Sequence, residues 1–447
     1  MALTALEIYK HLPKTNCKEC KFPTCLAFAM ALAQKKASLS DCPYVTEEAK
    51  AALEGASMPP VRLVTVGTGE RALSIGNDTV LFRHEQTFVH PAGIAVELSD
   101  AAPAAELAKA AADIEALSFE RVGMTIAVNL VAVRCDSGSG DTFASAVKAV
   151  RGATKLPFVL MGRVPAALEP ALALLAGEKP LLFAADRQNH AEMAALAKAH
   201  GAPLAVAGSG VEEIAEVAQK VAALGVADLV LCPEGGSLGR VLPDLTMLRR
   251  AALKKNHRAV GYPLMAVASG PDPFAEAAAA ATFISKYAGI VVVKGRGRGE
   301  MLSLLTMRQN IYTDPQKPIQ VKPGFYAVGD AREGSPVLVT TNFSLTYYNV
   351  AGDVEASRIP CWIVVVDTEG TSVLTSFASD KFNADKVTTL LKEEKGIKDK
   401  VTHRRVIIPG LVAAMSAKLK DASGWEVLVG PRESSGIPKF LKSLPSA

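Results

Sequence analysis

Four of the seven cysteines in this 447-residue chain fall between positions 17 and 42, as Cys17-Lys-Glu-Cys20-Lys-Phe-Pro-Thr-Cys25 followed after sixteen residues by Asp41-Cys42-Pro43. A loop carrying three thiols, stiffened by Pro23, can meet a fourth if the intervening chain runs out and back, and the Ala-, Leu- and Met-rich stretch from Leu26 to Lys36 reads as the helix that does so. Four thiolates around one compact centre fit a [4Fe-4S] cluster best. Zinc is the rival, although its structural sites more often pair two short Cys-x2-Cys hooks, and a disulfide framework is the third reading. Cys135, Cys232 and Cys361 stand singly at strand-like positions and read as small buried apolar residues.

Composition narrows the function. Hydrophobic residues make up 49% and charged residues 21%, enough for several cores. A net charge of +4 against 49 basic and 45 acidic residues leaves no electrostatic footprint for nucleic acid. No basic leader precedes an apolar core and no run of about eighteen apolar residues occurs, so the expectation is a cytoplasmic protein without membrane spans. Residues 1–57 form the cysteine domain. Met58-Pro59-Pro60 opens a segment, 58–92, of short hairpins (Val61 to Val66, Ala72 to Ile75, Val80 to Phe82), expected to be a connector or lid.

From residue 93 to 314 short apolar runs alternate with Ala-rich amphipathic stretches. The strand candidates are Ile94 to Leu98, Thr125 to Val133, Phe158 to Met161, Leu181 to Ala184, Leu204 to Ala207, Asp228 to Leu231, Leu264 to Val267 and Ile290 to Val293. Eight strands too apolar to alternate, each followed by a helix, predict a TIM (β/α)8 barrel, with a long doubly wound sheet as the alternative. Chemistry in such a barrel sits on the loops after the strands, where Gly295 to Gly299 reads as a turn or as a phosphate cradle. No Walker motif or dinucleotide fingerprint occurs, and no histidines are paired at metal-ligand spacing.

A Pro-rich stretch, 315–336, reads as a linker to a doubly wound α/β domain, 337–447, with strands Val337 to Thr340, Trp362 to Asp367, Arg405 to Ile408 and Trp425 to Val429. The strand ends of such a sheet bind ligands. Here they carry Thr340-Thr341-Asn342, Glu369-Gly370-Thr371-Ser372, Pro409-Gly410 and Gly430-Pro431-Arg432, small and hydroxyl-rich segments that also suit ordinary turns and caps.

The cysteine motif, the barrel and the last domain, in that order, resemble the large (gamma) subunit family of the corrinoid/iron-sulfur protein of the acetyl-CoA pathway. The resemblance implies a [4Fe-4S] cluster on Cys17, Cys20, Cys25 and Cys42, and a cobalamin-type corrinoid held by the C-terminal domain. The family's Val-Thr-Thr-Asn segment matches Val339 to Asn342, giving Thr340, Thr341 and Asn342 with Thr346 beyond. Its Glu-Gly-Thr-Ser-Val segment matches Glu369 to Val373, giving Gly370, Thr371, Ser372 and Val373. Gly410, Gly430 and Gly436 complete the implied contacts. The Asp-x-His-x-x-Gly motif that gives many cobalamin proteins a lower ligand is absent here and in the family, which favours a four-coordinate, reducible cobalt. The implied activity is methyl carriage: Co(I) takes a methyl group from methyltetrahydrofolate through a methyltransferase and passes it to acetyl-CoA synthase, while the cluster rescues oxidised cobalt. The implied partners are these two enzymes and a smaller barrel-bearing subunit in a heterodimer. Alternatives are a pterin methyltransferase barrel using Asp100, Asp136, Asp186 and Asn189, with an attached redox domain, and a ferredoxin-like electron carrier.

Overall fold

A computed structural model describes residues 5–33, 37, 39–46, 49, 59–82, 85, 88–313, 318–393 and 396–444. The chain divides into two compact units, residues 1–118 with 127–312, and residues 119–126 with 313–447.

The first unit opens with α1 (Ala5–His11) and α2 (Cys25–Ala33), and then β1 (Val64–Val66) pairs antiparallel with β2 (Leu73–Ile75). The barrel begins at β3 (Gly93–Ser99), α3 (Ala104–Glu115) follows, and the chain turns through a separate hairpin, β4 (Ser118–Arg121) and β5 (Met124–Ala127). It continues with β6 (Leu130–Arg134), α4 (Gly140–Ala153), β7 (Phe158–Met161), α5 (Pro165–Leu174), β8 (Leu181–Ala185), α6 (His190–His200), β9 (Leu204–Gly208) and α7 (Val211–Ala223). Then come β10 (Leu229–Pro233), α8 (Leu238–Lys254), β11 (Leu264–Val267), α9 (Pro273–Ser285), β12 (Ala288–Val293) and α10 (Arg298–Tyr312). The eight strands from β3 to β12, excluding the β4–β5 hairpin, are parallel neighbours and close on themselves. This is the expected (β/α)8 barrel.

Helix sequences fit that arrangement. In α7 the buried residues Ile214, Val217, Ala218 and Val221 make one stripe at helical spacing, while Glu212 and Glu213 sit favourably in the first turn. α9 is started by Asp272, whose Oδ1 accepts from Phe274 N and Ala275 N at 2.9 Å each, with Pro273 at the first helical position.

Two segments differ from expectation. The strand sought at Thr125 to Val133 is split: residues 124–127 turn back on β4, and the barrel strand starts only at Leu130. The β1–β2 hairpin is no lid. Val64, Val66, Leu73 and Ile75 are buried in the barrel's own core with Ala95, Leu130, Ala132 and Ile290. It plugs the end where the strands start. A Cβ on Gly93, the first residue of β3, would lie 2.3 Å from Leu73 Cδ2, so the strand begins with the one residue that leaves the plug its place. The interior alanines explain why a plug is needed, because small side chains alone leave the barrel underfilled.

The second unit is an open five-stranded sheet: β13 (Gly324–Val328), β14 (Val337–Thr341), α11 (Ser344–Ser357), β15 (Cys361–Val366), α12 (Val373–Ala378), α13 (Ala384–Lys392), β16 (Arg405–Ile408), α14 (Ser416–Ser423), β17 (Glu426–Val429) and α15 (Ile437–Ser443). The strand order is β13-β15-β14-β16-β17, parallel except for β13. Val337 and Val339 face one core with Val387, Leu391 and Leu419, whereas Leu338 faces the other with Tyr347, Val354 and Leu441, so helices cover both sides. The stretch 315–336, expected to be a linker, therefore contributes its residues 324–328 to the sheet edge. Thr388 and its neighbours fall in a helix, α13, that the sequence reading passed over.

Replacing Ile75, which is fully buried, by Ala should cost about 2–4 kcal/mol of stability as a plug residue. A thermal melt of the full-length protein that is unchanged within error would return the hairpin to the role of a dispensable lid.

Candidate functional site

The cysteine loop is built by its own backbone. Asn16 Oδ1 accepts from Cys25 N at 2.8 Å while Asn16 N donates to Cys25 Sγ at 3.4 Å, and Thr24 Oγ1 caps α2 by accepting from Ala27 N at 3.0 Å. Cys20, Cys25 and Cys42 are buried among Ile8, Leu12, Phe28 and Val45, whereas Cys17 is exposed. Burial pushes the Cys42 thiol up, and negative charge on Cys20, Cys17 and Cys25 pushes it further, against a backbone hydrogen bond from Tyr44. Three of the four thiols are thus packed in an apolar core, with the fourth at its surface. All seven cysteines are free thiols, and among the described residues no three His, Cys, Asp or Glu side chains converge as a single-ion site. A donor set of four thiols with an N–H···S bond fits an iron-sulfur centre.

The sheet of the second unit reverses its winding between β14 and β16, the place where open α/β sheets leave a crevice at the strand ends. A cavity of ≈ 230 Å³ lies there. Leu338, Ile407, Val350, Ile437 and Phe440 give it apolar walls, and Thr340 lines it with a side chain that is 1% exposed. Thr340 Oγ1 has no hydrogen-bond partner. Such a buried hydroxyl costs free energy unless something arrives to pair with it. At the rim Arg432 is exposed, with no ion pair among the described residues.

Of the residues expected at the site, Thr340, Thr346, Ser372, Val373 and Gly430 line this cavity. The others stand around it. Thr341 points to the opposite face of the sheet, fully buried and also without a partner. Asn342 is spent: its Nδ2 donates to Gln320 Oε1 and Asp367 Oδ1 at 3.1 Å each, and its Oδ1 accepts from Thr368 N, Thr368 Oγ1 and Gly370 N at 2.9 to 3.0 Å. Gly370 has φ +73°, and a Cβ there would lie 2.7 Å from Gln320 Cγ. Thr371 Oγ1 donates to Thr368 O at 2.7 Å, closing the same loop. Gly410 lets two loops touch, because its Cβ would lie 2.6 Å from Gly430 O, and Gly410 N donates to Pro431 O at 2.9 Å. Gly436 sits just before Ile437, packed against Pro431. Arg432, Asn349 and Phe440 line the cavity without having been singled out. Arg432 had a readable signal as the one cation in the strand-end loops, whereas Asn349 and Phe440 depend on how helices pack.

The barrel mouth is different, because Asp100, Asp186 and Asn189 are already paired there. Asp100, 3% exposed, accepts from Asp136 N at 2.8 Å, Ser137 N at 2.9 Å and Ser137 Oγ at 2.5 Å. Arg163 bridges Asp186 and Glu234 at 2.5 Å each, and Arg134 holds Glu97 with two bonds of 2.9 and 2.6 Å. Burial works to raise the Asp186 carboxyl, yet bonds from Gln188 N, Asn189 N and Arg163 hold it below the usual carboxylate range. Asn189 donates to Arg163 O and Ala184 O. The loop at Gly295 offers no anion cradle, since Glu276 already accepts from Lys294 N at 3.0 Å and Gly295 N at 2.7 Å.

Comparison with known proteins places this geometry. A profile described as CO dehydrogenase/acetyl-CoA synthase delta subunit matches residues 63–441, and one described as a putative Fe-S cluster matches residues 12–44. The corrinoid/iron-sulfur protein large subunit of Moorella thermoacetica is 46% identical over 443 residues, 99% of each chain. The acetyl-CoA decarbonylase/synthase complex subunit gamma of Methanothermobacter thermautotrophicus is 39% identical over 459 residues, covering 100% of both chains. A solved dihydropteroate synthase from Vibrio fischeri ES114 is similar at 14% identity over 53% of this chain and 99% of its own, with a TM-score of 0.40, a likeness too slight to carry an argument. The relatives that match along the whole length, cysteine motif included, decide the assignment: the chain belongs to the family of the corrinoid/iron-sulfur protein large subunit and the acetyl-CoA decarbonylase/synthase gamma subunits.

Proposed function

We propose that the chain is a methyl carrier of the acetyl-CoA pathway that holds a corrinoid on its C-terminal domain and a [4Fe-4S] cluster on Cys17, Cys20, Cys25 and Cys42. The observation that carries this reading is the unpaired Thr340 hydroxyl at the wall of an apolar crevice, in a chain of this family. A bound corrinoid supplies a reducible cobalt that accepts a methyl group from methyltetrahydrofolate by way of a methyltransferase and yields it to acetyl-CoA synthase.

The protein's part is to hold and orient. A cavity of ≈ 230 Å³ suits the heterocyclic base of an appended nucleotide rather than a whole macrocycle. Leu338, Ile407 and Phe440 would grip that base, Thr340 would hydrogen-bond it and Arg432 would face its phosphate. No histidine is among the lining residues, so the wall offers cobalt no imidazole. Thr341, Asn342, Gly370, Thr371, Gly410 and Gly436 set the shelf that the ring would rest on, with Thr346, Ser372, Val373 and Gly430 at its inner edge. The four thiols place an electron store in the same chain for re-reducing cobalt. A smaller barrel-bearing subunit would cap the exposed face of the site in a heterodimer, and the protein would work in the cytoplasm. Among the described residues no helix is long and apolar enough to cross a membrane. The paired acids of the barrel mouth weigh against the pterin methyltransferase reading, which needs a carboxylate or amide free to meet substrate.

Thr340→Val keeps the shape and removes the unpaired hydroxyl. The ligand-free protein should gain about 1 kcal/mol of stability, while corrinoid retention, read as cobalt per chain after dialysis against competitor, should weaken about tenfold. Unchanged retention would mean that Thr340 meets no ligand.

Cys20→Ala should remove iron without touching the crevice. Methyl transfer that starts from chemically pre-reduced cobalt should keep its rate, whereas recovery after deliberate oxidation should be lost. A variant that also fails from the pre-reduced state would give the cluster a direct part in transfer.

A further inference from the structure

The second unit has another cavity, at the end of the sheet where ligands of open α/β folds do not ordinarily sit. It measures ≈ 590 Å³, more than twice the ≈ 230 Å³ of the crevice. It lies at the amino ends of β14 and β16, beside Val337 and Arg405, the first residues of those strands. Val337, Ile359, Ile407, Leu441 and Leu444 give it apolar walls. Apolar walls, few polar groups and a volume of roughly 300–1,000 Å³ are what small ligands use.

The charged side chains at this cavity are all cationic. His403, Arg405 and Lys442 line it, and no acid does. His403 is spent, since its Nε2 donates to Ser335 O at 2.9 Å and its Nδ1 accepts from Arg405 N at 3.2 Å. Arg405 stands two residues before Ile407 on β16 and so turns to the same face of the sheet. Its Nε donates to Glu426, opposite it on β17, at 2.9 Å, and its two terminal nitrogens have no partner among the described residues. Lys442 is exposed and likewise has no ion pair or hydrogen bond among the described residues.

The two cavities share a wall. Ile407 lines both. Helix α15 gives Ile437 and Phe440 to the crevice and Leu441 to the second cavity, where Leu444, just past the end of the helix, joins it. A helix of seven residues has little stability of its own, so its position depends on what fills the space on either side of it.

We propose that the cavity at the amino ends is a second ligand site, for an amphiphilic anion whose apolar body lies along Val337, Ile407 and Leu441 and whose head group meets Arg405 and Lys442, and that filling it steadies α15 and tightens the crevice. The free side of a guanidinium beside an ammonium suits an anionic head group. An occupant also gives Leu441 and Leu444 neighbours that open space does not. Coupling between two sites is reciprocal, so a ligand in the crevice strengthens anion binding in turn. The second site stands on its own geometry, and only the coupling rests on the reading that the crevice holds a corrinoid.

Calorimetric titration of the full-length protein, cobalt-free and cobalt-loaded, uses decanoate as the probe, with 1-decanol as the body without the charge and acetate as the charge without the body. Decanoate should bind, decanol about tenfold more weakly and acetate not measurably. Arg405→Gln with Lys442→Gln should weaken decanoate about tenfold and leave decanol affinity unchanged, while the unliganded protein should melt as before, because an exposed ion pair adds little stability. Gly334→Phe blocks the space instead. Gly334 lines the cavity, and a Cβ there would meet nothing within 4 Å, so the ring can be added without a clash and decanoate binding should be lost. On the cobalt-loaded protein, decanoate should slow the loss of cobalt to a competitor about threefold, an effect absent in Gly334→Phe. Equal affinity for decanoate and decanol, or a decanoate affinity that neither variant lowers, would overturn the site. Sedimentation of the protein with phosphatidylglycerol vesicles, abolished by Arg405→Gln with Lys442→Gln, would make this a membrane contact and overturn it too. Decanoate binding that leaves cobalt loss unchanged would overturn the coupling. A wild type that holds no cobalt would instead bring down the corrinoid reading, with decanoate binding to the cobalt-free protein still deciding the second site.

Discussion

Asn342 is the knot of the C-terminal domain. One amide, 1% exposed, binds three donors through its oxygen and two acceptors through its nitrogen, and its backbone N–H also reaches Val366 O at 2.9 Å. The end of β14, the loop after β15 and the segment around Gln320 are fastened together at this point. Every hydrogen-bonding capacity of the side chain is used, so the loops around the crevice are fixed before any ligand arrives. Two residues earlier, on β14 itself, Thr340 is buried to the same degree and satisfied by nothing. A completed scaffold thus stands beside an incomplete contact, and the difference separates the frame of the site from the site.

The same distinction sorts the rest of the molecule. At the barrel mouth Arg163 is shared between Asp186 and Glu234, Asp100 is consumed by the loop after β6, and Glu276 occupies the amides at Gly295. These acids at the barrel's strand ends are thus spent on structure. Around the crevice the Thr340 hydroxyl and Arg432 are unspent, and Thr341 on the opposite face of the sheet is likewise unpaired. Function follows that uneven satisfaction more closely than it follows the most familiar fold in the chain.

Much of this was legible in the sequence because the parallel strands are buried on both faces and read as unbroken apolar runs. Phe158–Met161, Leu264–Val267 and Arg405–Ile408 have the boundaries expected of them. What escaped is antiparallel or irregular. Gly324 to Val328, flanked by Pro323 and Gly329, has the composition of a linker, and only its pairing with β15 makes it a strand. The β1–β2 hairpin has the alternation of an exposed ribbon, yet its apolar face fills the barrel, which no local pattern reveals. At the site, types were easier than roles. Thr340 and Asn342 belong to one motif, but whether a polar side chain meets a ligand or the neighbouring loop depends on partners some 25 residues away.

The two ends of the chain stand in opposite relation to what they would hold. The C-terminal sheet has two cores of its own, built from Val364, Val406 and Leu419 on one side and Ile363, Val365 and Leu441 on the other, so its crevice is shaped without help. The N-terminal domain has no such reserve. Of the nine buried residues in its core among the described residues, Cys20, Cys25 and Cys42 are three, and each would give up its proton to ligate a metal centre. Ligation of an iron-sulfur centre by these thiols would couple the folding of the domain to its filling.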